Sequence, residues 1–351
     1  MAITSTGVQT QDCRVRTAFS LSIVLILLLL FAARPSAADD TSPALIIVVG
    51  APGETDYEDV FAESAAAWRK AGQLAKLSVT EISAGEANNP SSRERLQTAL
   101  LASTNSPADL WLVFIGHGTF DGKEAKFNLP GPDLAATQLS EWLKPLKRRV
   151  IIFQGGSASA PFINRLSAPD RILITATRSG GEQNYARFGV NAAAALGNPQ
   201  TDVDQDGQNS ALEIFLAAAR LTTEWYKTEG RLATEHPLID DNGDGRGTPA
   251  DWFQGLRVVK QSTDGALADG LRANQVHLVP SEFEAKLNVE QRKWRDEKEV
   301  ELARLRERKP AMPEPEYFNV LEILLLELSR FYQQFEPAVN LPSAKPAAGL
   351  P

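Results

Sequence analysis

Short apolar runs alternating with segments of helical periodicity are the feature that most restricts this chain. "ALIIVVG" (44–50), "KLSVTEI" (76–82), "DLWLVFIG" (109–116), "RVIIFQ" (149–154) and "RILITATR" (171–178) are of strand length and β-rich. Between them stand "YEDVFAESAAAWRKAGQLA", "SSRERLQTALLAS", "ATQLSEWLKPLK" and a short "APFINRL", each with apolar residues at helical spacing. Strand–helix alternation of this kind predicts an α/β fold, a mostly parallel sheet with helices on both faces. Ligands of such sheets bind beyond the carboxyl ends of the strands, so the turns after Ile115 and Phe153 are the places to look for chemistry.

The ends of the chain carry different signals. Arg14 and Arg16 precede an apolar run from Thr17 to Ala33, and "RPSAADD" follows, with Ser36 and Ala38 at the small-residue positions of a cleavage site. Residues 1–38 are read as a secretory signal peptide, with an uncleaved membrane anchor as the alternative, and the mature protein is expected in a periplasm or outside the cell. Losing three Arg and one Asp with the leader moves the formal charge from −8 to −10, which argues against a nucleic-acid partner. Cys13 is the only cysteine, so the exported chain would hold no thiol, disulfide or cysteine metal ligand. At the other end, residues 282–335 predict a helical hairpin: a charged helix from Glu282 to Arg308, a break at "KPAMPEP", and the apolar "YFNVLEILLLELSRFYQQF". The hairpin is expected to pack on the domain or to self-associate. Residues 256–281 read as a connector, and 336–351 as a disordered tail.

Two strand ends carry the candidate catalytic residues. "LVFIGHGTFDG" sets His117 directly after a strand and between glycines, where Gly118 N–H could serve as an oxyanion donor. One helix later "RVIIFQGGSASAPF" runs a strand into a turn of small residues. The order of these segments resembles the caspase and legumain-like (clan CD) cysteine peptidases, in which one strand ends in His-Gly and the next in a small residue, the nucleophilic Cys, one further residue and Ser-Gly. "GSASA" then places Gly156, Ser157, Ala158, Ser159 and Ala160 on that pattern, with Ser157 in the position of the cysteine. "IIVVGAPGETDYEDVFAESAAAW" resembles the family's first strand and Gly/Tyr loop, and "ILITATRSGGEQNYARFG" its strand and loop that wall the specificity pocket. The resemblance spans Pro43 to Leu196 and implies a domain over 39–255 with a peptide-binding cleft.

Replacing the thiol changes the chemistry. A free thiol has a pKa of about 8.5 and a nearby imidazole lowers it, so a thiolate works with a loosely placed histidine. A hydroxyl needs a base in direct hydrogen-bond contact, held by a third group. No such group is evident near His117 except Asp121, which lies on the loop beyond it. The expectation is therefore a silent peptidase homologue that binds a peptide or protein ligand. The alternatives are a serine hydrolase using Ser157 and His117, or a structural protein switched by calcium. Ser157 as a helix cap is the bland reading, and His236 and His277 read as lone surface residues.

Calcium enters through two acidic runs. "DVDQDGQNSALE" (202–213) has the EF-hand loop order: Asp202, Asp204 and Asp206 as carboxylates, Gly207 for the turn, Gln208 for a carbonyl and Glu213 to close the shell. "DDNGDGRGTPAD" (240–251) repeats it with Asp240, Asn242, Asp244, Gly245 and Asp251, less well, since Asp is a weaker closing ligand and Pro249 disfavours an exiting helix. Extracellular modules of this kind work at about 0.1–1 mM calcium. The bland reading of both is a solvated Asx turn.

Overall fold

The structure, a computed structural model, describes residues 1–2, 43–83, 90–104, 106–260 and 268–335. The chain divides into two units, Met1–Asp40 and Thr41–Pro351, and every element below belongs to the second. The leader beyond its second residue, the tail at 336–351 and residues 261–267 of the connector lie outside the described residues. No described helix is long and apolar enough to cross a membrane.

Strand β1 (Ala44–Val49) leads to helix α1 (Thr55–Leu74), followed by β2 (Ser78–Ile82), α2 (Ser92–Ala102) and β3 (Leu110–Ile115). After β3 come three short strands, β4 (Gly118–Phe120), β5 (Ala125–Phe127) and β6 (Leu134–Ala135), then α3 (Ala136–Leu143) and β7 (Val150–Gln154). Helix α4 (Pro161–Leu166), β8 (Arg171–Thr175), α5 (Phe188–Ala195) and α6 (Ala211–Thr228) complete the part read as alternating. The main sheet runs β10-β9-β8-β7-β3-β1-β2, with β9 (Leu238–Asp240) and β10 (Thr248–Pro249) at one edge. Strands β2, β1, β3, β7 and β8 are parallel, and β9 runs antiparallel to β8.

The apolar strand runs are explained by burial on both faces. Leu45, Ile47, Trp111, Val113, Ile151 and Phe153 meet α1, α5 and α6 in one core. Their neighbours Ile46, Val48, Leu112, Val150 and Ile152 meet α2, α3 and α4 in the other. A side chain of this size contributes about 1.5–3 kcal/mol when fully buried, so the central strands tolerate no polar alternation. Trp68 of α1 anchors the first core, with its ring 5.1 Å from Phe153 and 6.5 Å from Trp111. On the opposite face α2 starts with a full capping box between Ser91 and Glu94.

Three readings are corrected. The β4–β5–β6 meander was not expected; its strands are too short for periodicity to register. Beyond Glu182 the sequence pattern is helical with two acidic Gly-containing turns, but the second acidic loop forms the tip of the antiparallel β9–β10 hairpin. The first hairpin helix, α8 (Val289–Arg308), begins at Val289 rather than Glu282, because Asn288 and Gln291 form a capping box there. Between β10 and α8 stand β11 (Phe253–Gln254), β12 (Arg257–Val258) and a single turn, α7 (Leu271–Asn274). Helix α9 (Glu314–Gln333) returns along α8 as expected, stacking Phe331 on Trp294 at 5.0 Å. The pair is tied to the sheet by Arg149, which meets Asp296 at 3.6 Å, and to the end of α7 by Gln275, whose Nε2 donates to Asp296 O and Glu299. Arg295, buried on α8, is held by Glu284 and Asp296. Phe318, Ile323, Leu325 and Leu326 of α9 stay half exposed.

Buried carboxylates pin the connector. Asp241 accepts the amides of Gly270 and Ala273 at the start of α7. Asp269 returns the contact, accepting the amides of Asp241 and Asn242 and the Thr248 hydroxyl at 2.6 Å. Burial first, and then the charge of Asp241, pushes the Asp269 carboxyl up from 3.8 to about 8. A raised carboxyl favours the fold when protonated: its contribution is complete below pH 3.8 and is lost as pH rises through about 8. The ceiling on that loss is about 1.4 kcal/mol per pH unit for one proton. Urea unfolding in chelator is expected to show stability declining from pH 5 to pH 8. Asp269→Asn, which keeps the acceptor and supplies a donor to Thr248, should flatten the decline; an unchanged slope would refute the assignment.

Candidate functional site

The carboxyl ends of β3 and β7 lie in backbone contact, and two glycines make that possible. A Cβ on Gly118 would stand 2.3 Å from the carbonyl oxygen of Ser157, and one on Gly156 would stand 3.2 Å from the carbonyl carbon of His117. The two turns picked out from the sequence are therefore neighbours, and side chains at 118 and 156 would force them apart. Gly118 opens β4 and pairs with Phe127 across the meander.

His117 is half-buried in an aromatic box. Tyr57, Phe61 and Tyr185 place their ring centres 4.9, 5.3 and 5.5 Å from the imidazole. Its Nε2 lies 3.1 Å from the carbonyl oxygen of Pro52, which can only accept, so Nε2–H is the donor of that bond. Asp121 does not orient this ring; its carboxylate accepts the amides of Lys123 and Glu124 within the β4–β5 turn. Ser157 is 3% exposed, and its hydroxyl donates to the carbonyl oxygen of Asn184 at 2.6 Å. The structure thus brings the two segments together without joining the two functional atoms.

Nor does Ser157 cap a helix. The residue before α4 is Ala160, with no side-chain cap. The turn is held by Thr177, whose Oγ accepts the amides of Ser159 and Ala160, and by Ser159, whose Oγ accepts those of Ala176 and Thr177. Between them Ala158 sits in the left-handed region at φ 51°, fully buried, with its amide on the carbonyl of Glu182. A non-glycine residue there stores of order 1–3 kcal/mol that the surroundings must offset.

Residues 178–187 form the wall beside this turn. Glu182 gathers the amide and guanidinium of Arg178, the amide of His236 and His236 Nδ1 at 2.6 Å. His236 is therefore half of an ion-pair-capable couple, not the lone surface residue read from the sequence. Glu235, buried, caps α5 through the amides of Arg187 and Phe188 and receives the Tyr226 hydroxyl. Burial raises its pKa, an effect those three bonds and Arg187 oppose. His277 is also not a surface residue: it lies 3.9 Å from Asp206, and burial lowers its pKa.

In the first acidic loop, oxygens of Asp202, Asp204 and Asp206 all fall within 4.8 Å of one another. Burial and the charges of Asp206, Glu213 and Asp202 push Asp204 up from 3.8 to about 6. Asp202 accepts the amides of Asp206 and Gly207, and the Gln208 side chain accepts the amide of Ser281. Glu213 does not join the three; it forms the capping box of α6 with Ser210 and accepts the amide of Val203 at 2.7 Å. To close a coordination shell it would have to give up that contact.

The second loop is less assembled. Both Asp240 oxygens accept amides, from Gly243 and Gly245, while Asn242 and Asp244 close Asx turns on Asp244 and Arg246. Asp251 stands apart with Lys260 at 2.6 Å. Among the described residues, no three carboxylates of this run converge as those of the first loop do. Tyr57, Tyr185, Glu182 and Thr177 are the residues that matter here and were not singled out, because their roles depend on non-local contacts.

No family model matches the sequence, and no curated protein matches it. Solved structures similar to it include the Drosophila initiator caspase Dronc, 11% identical, with a TM-score of 0.36 over 61% of this chain and 88% of that one. Another is caspase-1 from Spodoptera frugiperda, 10% identical, with a TM-score of 0.37 over 59% of this chain and 88% of that one. Overlap at this level is a partial likeness of shape and carries no inference about chemistry.

Proposed function

We propose that the chain is an exported relative of the caspase and legumain-like peptidases that has lost catalysis and uses the cleft at the ends of β3 and β7 to bind peptide. One observation supports silence above the others. The Ser157 hydroxyl is committed to the Asn184 carbonyl at 2.6 Å while His117 Nε2 faces the Pro52 carbonyl. Without a base on the hydroxyl, no proton leaves as a new bond forms. The order of the four resembling segments supports the relationship, and the leader at 1–38 supports export to a periplasm or beyond. The left-handed Ala158 favours a second reading, a serine hydrolase, since strain beside a nucleophile is a common device of active sites.

Purified Asp39–Pro351 and its Ser157→Ala variant should show equal, background hydrolysis of a fluorogenic peptide and ester library, while the same peptides bind measurably. Ser157→Cys should gain slow turnover, because a thiolate needs no bonded base. Wild-type turnover abolished in Ser157→Ala would establish the hydrolase. Absence of both peptide binding and Ser157→Cys turnover, in folded protein, would remove the cleft reading.

The calcium part of the proposal rests on Asp202, Asp204 and Asp206, with Gln208 and a reoriented Glu213 completing the shell. Asp240, Asn242, Asp244 and Asp251 form a weaker second candidate. A raised Asp204 favours the metal-free fold when protonated, fully below pH 3.8, and this contribution disappears as pH rises through about 6. A cation replaces the proton over that window, so calcium should bind better above it. At 1 mM calcium and a Kd of about 0.1 mM the gain is about 1.4 kcal/mol, a few degrees in Tm. The shift should vanish in Asp204→Asn/Asp206→Asn and below pH 5; a shift unaltered by either would place calcium elsewhere.

A further inference from the structure

A second cleft lies at the opposite end of the strands from His117 and Ser157. It encloses about 920 Å³ between the amino ends of the parallel strands and α8. Leu77, Val289 and Val300 offer it apolar surface above the buried Trp111, Ile172 and Val276, and its rim is basic in a chain whose formal charge is −8. This volume suits a small organic molecule rather than a bare ion.

The charges on the rim are unevenly matched. Arg149 is neutralised by Asp109 at 2.7 Å and Asp296 at 3.6 Å, Arg292 by Glu284 at 3.3 Å, and Glu301 is taken by Lys298 at 3.1 Å. Arg171 and Arg272, by contrast, reach only the carbonyl oxygens of Leu166 and Pro169, although Arg272 also feels the buried Asp241. Among the described residues, Lys147, Lys293 and Arg304 line the cleft without an ion pair, as do the carboxylates Asp170 and Glu297, while Arg148 donates to the carbonyl oxygens of Ser103 and Asp109. Burial lowers the pKa of Arg171, and no neighbouring carboxylate offsets the effect. A guanidinium taken from water without a counter-charge is a cost that an anionic ligand would relieve.

We infer that this cleft binds an amphiphilic organic anion, its apolar body against Leu77, Val289 and Val300 and its sulfonate, phosphate or carboxylate head on Arg171 and Arg272. The site lies away from the peptide cleft, borders the acidic loops through His277, which stands 3.9 Å from Asp206, and stands whether or not those readings hold. Anilinonaphthalene sulfonate has this chemistry and reports its own burial by fluorescence. With the full mature chain, shown to unfold cooperatively, the dye should bind saturably at one site. Naphthalene sulfonate should displace it and neutral naphthol should not. Arg171→Gln should weaken binding about tenfold, the loss of one charge-assisted contact. Lys293→Glu/Arg304→Glu, on the exposed side of α8, should weaken it comparably and decides the matter if Arg171→Gln does not fold. No saturable binding, displacement by naphthol as effective as by the sulfonate, or affinity unchanged in the α8 variant would overturn the inference.

Discussion

A parallel sheet covered on both faces has room for polar chemistry only at its two ends. Here β3 and β7 are buried along their whole lengths, β3 as Leu-Trp-Leu-Val-Phe-Ile and β7 as Val-Ile-Ile-Phe-Gln. The polar groups are pushed to the turns beyond the strands, and the fold acquires two distinct surfaces as a result. At the carboxyl end stand His117, Ser157 and the aromatic box. At the amino end stand Arg149, Arg171 and the cations facing α8. Each is held by elements that the two hydrophobic cores fix in place, which is why neither depends on a disulfide or a thiol.

At the carboxyl end, proximity and connection have become separate properties. Glycines at 118 and 156 let the turns touch, and Thr177 and Ser159 lock the second turn with four amide contacts. The same rigidity that would present a nucleophile here presents Ser157 to a backbone carbonyl. A thiol in that position could ionise in place; a hydroxyl must first leave Asn184 and find a base. Under the proposed function, the difference between a peptidase and a binding module is one of proton routing at this turn.

What the sequence made legible follows from how far apart the determining contacts lie. β1, β3, β7 and β8, and the helices between them, are written in local apolar periodicity. So is the hairpin of α8 and α9. The β4–β6 meander and the β9–β10 edge escaped because two- and three-residue strands carry no period. Glu213 shows a subtler limit: the spacing that suits a calcium-closing ligand also suits the third residue of a capped helix, and only the structure reveals its bonds to Ser210 and Val203. His236 looked isolated because its partner, Glu182, lies far away along the chain. The cationic cleft at the amino ends is assembled from residues of six separate segments, and no local pattern announces it.

The central claim is that the Ser157 hydroxyl is not activated, and active-site phosphonylation tests it most directly. Purified Asp39–Pro351 exposed to a fluorophosphonate at pH 7.5 would be weighed intact and digested to locate any adduct. The account expects no phosphonyl group on Ser157 after prolonged exposure, in protein that retains its cooperative unfolding transition. Stoichiometric modification of Ser157, lost in Ser157→Ala and in His117→Ala alike, would contradict it and show a working serine–histidine pair.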